Sequence, residues 1–295
     1  MAPAAESWHG EPAFRLTSGD GSRLVIVPGR GAKIVSLTDP TGLERLAQPR
    51  LPVPPPSRPG DRFVEAEMCG WDECAPAVLE GVASVGGREV VVPDHGELWT
   101  APWTCSCDGD GVVAVAEGPS QGYLFQRTVE PTENGFRLRY DLRAGDRPVA
   151  MCWVAHPQFT APAGSRVDLP GVRTAVDVLD PQRPRRPWPA GGVAVDDVPA
   201  GGCSKVYAAP EHPTGRARLS TPGRASLVLS WDASTAPYCG VWVDRGAYSR
   251  EDVVAVEPAT GFADGLDDAV GSGRVLTVAA RGQAGWWLEV GTDAS

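Results

Sequence analysis

The sequence contains four histidines, His9, His95, His156 and His212. Two of them stand where a strand ends and a turn would fix the ring. His95 sits in Val91-Val92-Pro93-Asp94-His95-Gly96. A strand stops at Pro93, and Gly96 lets a backbone or a ligand approach closely. His156 follows a long apolar run and precedes Pro157-Gln158-Phe159, so it is read as ending a buried strand. Glu257 closes the run Val253-Val254-Ala255-Val256-Glu257-Pro258. A carboxylate at the tip of so apolar a strand is costly unless it is paired or set in a cleft. Burial would also raise its pKa toward the value a general base needs. Two imidazoles and one such carboxylate make a candidate acid–base site. The plain alternatives are a surface histidine, a satisfied core histidine and a solvated strand-end glutamate.

Other chemistries find less support. A cupin-type metal site wants a His-x-His pair with a nearby Glu, and His95-x-Glu97 supplies only part of it. Cys105-x-Cys107 lacks the spacing of a zinc knuckle. No nucleophile-elbow serine motif occurs, and no glycine-rich phosphate loop joins a strand to a helix. The expectation is therefore no metal and no cofactor. Arg183, Arg185 and Arg186 fall in a Pro-rich stretch read as a solvated loop; the alternative is contact with an acidic or phosphorylated ligand.

The elements that must position these residues are short strands. The chain has 295 residues with 35 Gly and 29 Pro, which disfavours long helices. Residues 23–28, 33–38 and 88–92 are rich in β-branched side chains and bounded by Gly or Pro. Phe136, Leu138, Tyr140 and Leu142 alternate with Arg137, Arg139, Asp141 and Arg143, a period of two. The run 123–130 is the expected hairpin partner, joined through Pro131 to Gly135. Further strands are expected over 148–155, 226–231, 239–244, 252–257, 274–280 and 285–290, with a helical turn or two over 264–270. Turn signals at this density argue for an all-β chain, a large antiparallel β-sandwich. No boundary divides residues 1–295, so a single domain is expected, with residues 1–10 a loose tail and 49–60 a surface excursion.

The net charge is −10, which repels phosphate backbones and argues against nucleic-acid partners. Only Lys33 and Lys205 are lysines; the Arg bias reads as coding composition. No secretory leader and no membrane-length apolar run is evident. Seven Cys without a CxxC pair read as reduced thiols of a cytoplasmic protein, a monomer or weak homodimer.

Taken in order, three segments resemble the aldose 1-epimerase (galactose mutarotase-like) superfamily: Pro93-Asp94-His95-Gly96, Ala155-His156-Pro157-Gln158-Phe159 and Val256-Glu257-Pro258. Gly70-Trp71-Asp72-Glu73-Cys74-Ala75-Pro76 stands where many relatives line the sugar pocket. The resemblance spans residues 10–290. It implies a β-supersandwich and an isomerase that interconverts the α and β anomers of a small-molecule sugar without a metal. On that reading Glu257 is the general base, His156 the general acid, and His95 holds or polarises the ring oxygen. Asp72, Glu73 and Glu97 would form an acidic rim that favours an unphosphorylated aldose. Trp71 and Trp99 would stack on the sugar or pack in the core. The chain departs from many relatives in two ways. Glu97-Leu98-Trp99 follows His95-Gly96 where Phe-Ala-Arg is common, and the only Asn is Asn134. The alternatives are a hexose-6-phosphate mutarotase using the Arg183–Arg186 run, a sugar-binding protein without turnover, and a metal-dependent isomerase or lyase of a cupin-like barrel.

Overall fold

The computed structural model describes residues 2–51, 54–66 and 68–293. Two large antiparallel sheets, of eleven and nine strands, face each other. The nine-stranded sheet contains the expected hairpin, Tyr123–Thr132 with Gly135–Ala144. Its register runs from Tyr123 opposite Ala144 to Thr132 opposite Gly135. The connection is therefore the pair Glu133-Asn134, tighter than the five-residue loop the sequence suggested. Phe136, Leu138, Tyr140 and Leu142 are buried, and the intervening charged residues are half-buried or exposed. They meet Ile34, Trp71, Ala155, Val241 and Val256 from the other sheet in one continuous core.

The eleven-stranded sheet carries, as successive neighbours, Lys33–Thr38, Trp71–Cys74, Val154–Thr160, Asp252–Ala259, Tyr238–Arg245 and Cys203–Ala208. Alternation divides each strand between two faces. Odd and even positions of Trp71–Cys74 thus part company. Trp71 joins the inter-sheet core, while Asp72 lies on the outer face beside His156, with which it pairs in register.

Several expectations are corrected. The run 148–155 is two strands, Val149–Met151 and Val154–Thr160. His156 is inside the second of these, and Glu257 is likewise inside Asp252–Ala259, so neither ends its strand. Residues 4–8, expected as part of a loose tail, form an edge strand paired with Glu11–Thr17. Part of the 181–193 stretch, Arg185–Pro187, is an edge strand. The short helix expected over 264–270 is present as Leu266–Gly271. Among the described residues, no helix is long and apolar enough to cross a membrane.

Candidate active site

The floor of the site is one cross-strand row on the outer face of the eleven-stranded sheet. Asp72 pairs with His156, and Glu257 pairs with Gly240, which pairs with Tyr207. Between the strands of His156 and Glu257 the ladder joins Val154 to Ala259 and resumes at Gln158 with Ala255. Pro157 and Pro258 fall in the gap, and neither can donate an N–H to a ladder. The register is the same on both sides of the gap and sets His156 opposite Glu257, with His156 Nε2 3.5 Å from Glu257 Oε1.

Glu257 is fully buried. Its other oxygen, Oε2, lies 2.6 Å from Lys205 Nζ, which also reaches Asp264 Oδ1 at 2.9 Å. The Tyr207 hydroxyl donates to the same Asp264 oxygen at 2.7 Å. Lys205 stands on the second strand from Glu257, and Gly240 lies on the strand between. A Cβ at Gly240 would come within 2.8 Å of Glu257 Oε2 and 3.0 Å of the Tyr207 ring. The missing side chain is what lets the carboxylate and the ammonium meet across it. At the far end of the row, Lys33 Nζ is 3.1 Å from Asp72 Oδ2 and donates to the Cys69 carbonyl at 3.0 Å. Both lysines of the chain are therefore buried on this one face.

Burial raises Glu257 to about 7, with Lys205 pulling down and Asp264 pushing up. Burial alone would lower Lys205, but Asp264 and Glu257 overcome it and hold the ammonium above its ordinary value. His156 is pushed well below the usual imidazole value by burial, with His95, Lys205 and Lys33 adding repulsion. Burial thus favours its neutral form.

His95 comes from above the sheet, on the turn that follows Arg88–Val92. Its φ of 57° is a left-handed conformation unusual for a residue with a Cβ. The turn is docked by His95 N–H donating to Val78 O at 2.7 Å and Glu97 N–H donating to Ala75 O at 2.7 Å. Gly96 is required because a Cβ there would lie 2.1 Å from the Ala75 carbonyl oxygen. Asp94 Oδ1 is 2.8 Å from His95 Nδ1, and Asp94 Oδ2 accepts the Phe63 N–H at 2.8 Å. The His95 and His156 rings are perpendicular, with centroids 5.6 Å apart. Phe63 stacks on His95 at 4.0 Å and meets His156 edge-on at 5.3 Å, which covers the site. Trp242 closes one flank, 6.0 Å from His156.

His95, His156 and Glu257 thus converge, with Asp72 beside them. The remaining sequence candidates do not reach them. Glu73 points into the inter-sheet core, where it accepts from Arg127 Nη1 at 2.8 Å, Trp153 Nε1 at 2.7 Å and the Tyr140 hydroxyl at 3.1 Å. Trp71 shares that core. Glu97 accepts from Ser120 N–H and Oγ and lines a separate groove of about 770 Å³ with Pro93, Thr100 and Leu124. Trp99 meets Phe63 edge-on and donates to the Asp94 carbonyl at 2.9 Å, so it braces the turn. The sequence reading missed Lys33, Lys205, Asp264, Gly240, Phe63, Trp242 and the role of Asp94. One signal was present: lysine is nearly absent from the chain, and both copies are here.

The arginines of the 181–193 stretch are each answered by a carboxylate: Arg183 by Asp268, Arg185 by Glu211 and Arg186 by Asp177.

The sequence matches no protein-family profile, and no curated protein matches it. The fold does have counterparts. The Slr1438 protein from Synechocystis sp. PCC 6803 aligns with a TM-score of 0.76 at 15% identity, covering 97% of this chain and 96% of that one. A galactose mutarotase-like protein from Clostridium acetobutylicum aligns with a TM-score of 0.75 at 15% identity, covering 99% and 98%. Another galactose mutarotase-like protein, from Lactobacillus casei ATCC 334, gives 0.73 at 16% identity, covering 95% and 100%.

Proposed function

From this galactose mutarotase-like fold, we propose that the chain is an aldose 1-epimerase, an isomerase that interconverts the α and β anomers of an unphosphorylated aldose. The observation that carries the reading is the convergence of Glu257, His156 and His95 from distant parts of the sequence onto one face of the sheet.

The chemistry follows from what anomer exchange requires. A base takes the proton of the C1 hydroxyl, and an acid protonates the ring oxygen as the C1–O bond breaks. The aldehyde rotates about the C1–C2 bond, and the steps reverse on its other face. Glu257 is the base. Its pKa near 7 lets it accept a proton and return it within one cycle. The imidazoles serve the ring oxygen. Each positioned proton transfer contributes about 10²–10⁴-fold. Anomers already interconvert slowly in water, so such factors suffice for a useful enzyme.

The Arg183–Arg186 run supplies no free cationic cluster for a phosphate, since each of these side chains faces a carboxylate. An uncharged sugar accords better with a site whose own charges already answer one another: Lys33 with Asp72, and Lys205 with Glu257 and Asp264. We place the enzyme inside the cell, where its seven cysteines, none in a disulfide, stay reduced.

The test is magnetisation-transfer NMR on glucose, galactose, xylose, arabinose and glucose 6-phosphate. Faster exchange of a neutral aldose than of the phosphate ester is expected. A folded protein that accelerates none of them would overturn the assignment.

A further inference from the structure

We propose that Gln158 selects the sugar: its amide oxygen Oε1 accepts a hydrogen bond from a hydroxyl on the side of the ring opposite C1. The inference rests on the mutarotase reading of this site and assigns a specificity-determining residue within it. Gln158 stands two residues beyond His156 on Val154–Thr160, so both side chains leave the same face of the sheet. It is fully buried. Its backbone is fixed, with N–H donating to Gly70 O at 2.9 Å and the carbonyl accepting from Ala47 N–H at 2.8 Å. Its side-chain Nε2 donates to the Cys69 carbonyl at 3.4 Å, which also accepts from Lys33 Nζ. Turning the amide over would bring two oxygens together, so the nitrogen belongs there and Oε1 faces away from Cys69 O. Oε1 has no hydrogen-bond partner among the described residues. A buried amide oxygen without a donor is costly, and buried polar atoms are nearly always paired. The donor is one that a ligand can bring.

The sheet sets that oxygen within a sugar's length of the base. Beside the row of His156 and Glu257 runs a second one, in which Gln158 pairs with Ala255 and Ala255 with Trp242. The middle side chain is a single methyl, so the amide and the indole rise on either side of it. Phe63 packs in the same cluster as Ala255 and Trp242 and against both imidazoles. A sugar that displaces Phe63 therefore takes its place over this row, with Trp242 as an apolar wall. Gln158 and Glu257 are diagonal neighbours on paired strands, about 7–8 Å apart along the sheet. A pyranose with its hydroxyls spans such a gap.

With the C1 hydroxyl at Glu257, the hydroxyl that reaches Gln158 is the one on C3 or C4. The C2 hydroxyl, next to C1, stays outside its reach. An amide oxygen only accepts, so the sugar must bring an O–H to it. A deoxy, ether or ester group at that carbon leaves Oε1 buried and unpaired, a loss that discriminates more strongly than a missing methylene. Gln158 moves no proton; it holds the far side of the ring while the anomeric carbon reacts.

The test compares glucose and galactose with their 2-deoxy, 3-deoxy and 4-deoxy forms in anomer exchange. Wild type should handle the 3-deoxy or the 4-deoxy sugar about tenfold to a hundredfold less well in kcat/KM than the parent. That comparison needs no variant. Gln158→Met keeps the length of the side chain and removes the acceptor. It should raise KM for the parent and the 2-deoxy sugar with little change in kcat, and bring the discriminated deoxy sugar level with the parent. Gln158→Glu, which keeps an oxygen in place, should keep part of the discrimination. A merely structural glutamine would instead penalise every sugar alike. Equal losses on parent and deoxy sugars in Gln158→Met, or a wild type indifferent to the C3 and C4 hydroxyls, would overturn the proposal. If wild type binds these sugars but exchanges none, the mutarotase reading fails, and saturation-transfer NMR of the same series decides the role of Gln158 from binding. A wild type that binds none of them overturns both.

Discussion

Lys205 Nζ stands 2.6 Å from Glu257 Oε2, so the carboxylate proposed as base is held by an ammonium rather than left alone in an apolar wall. Two opposed forces then set its proton affinity: burial raises it and Lys205 lowers it. Replacing Lys205 with Met removes the lowering force. The pKa of Glu257 rises, so a higher pH is needed to ionise it. The acid limb of the rate profile should move upward from about 7, and activity at neutral pH should fall. Lys205→Arg should keep part of the wild-type limb. An acid limb unmoved in Lys205→Met would show that the ammonium does not tune the base.

Gly240 is the gap through which that contact is made. A Cβ placed there lies 2.8 Å from Glu257 Oε2, closer than real contacts allow. Gly240→Ala should therefore displace Glu257 and cost activity by about tenfold or more, with a smaller loss of stability of about 1–3 kcal/mol. Parallel kinetics and urea unfolding separate the two effects. Unchanged kinetics would mean that the carboxylate relaxes without consequence.

Phe63 lies against both imidazoles, and the side chains of Glu257 and His156 are 0% and 4% exposed. A sugar reaching Glu257 must displace that ring. Phe63→Ala should thus lower KM, because binding no longer requires the displacement. A raised KM would instead make Phe63 a platform on which the sugar stacks.

The cluster around Glu73 belongs to stability, not to the reaction. Arg127 reaches across from the nine-stranded sheet to Glu73 at 2.8 Å, and both side chains are fully buried. Arg127→Met leaves the carboxyl without its cation and should cost about 3–5 kcal/mol in urea unfolding. Glu73 is already raised above the ordinary carboxyl value by burial, against the pull of Arg127, and would rise further. A carboxyl with a raised folded-state pKa binds its proton more tightly folded than unfolded. The deficit should therefore shrink as pH falls and grow as pH rises through the folded-state value. A pH-independent deficit would place the loss in packing alone.

The strand pattern was legible in the sequence because alternation records burial directly, as Phe136 to Leu142 illustrate. The His156 and Glu257 candidates were legible because each follows an apolar run with a costly polar group, and His95 because Pro93 and Gly96 bracket it in a turn. Their partners were not. Which face of Trp71–Cys74 meets the site depends on register with Val154–Thr160, and one residue of slip would exchange Asp72 for Glu73. Lys205 and Gly240 gain meaning only from the strand order, which sets them beside Glu257 across long sequence separations. The prolines that seemed to end the strands of His156 and Glu257 instead lie within them and interrupt the ladder between them.

The most direct test of the account compares wild type with Glu257→Gln in anomer exchange by magnetisation-transfer NMR. The substitution keeps the shape of the side chain and removes the base. Wild type should accelerate exchange of a neutral aldose, and Glu257→Gln, folded to the same extent, should lose about 10²–10⁴-fold of that rate. Equal acceleration by the two proteins would contradict the account.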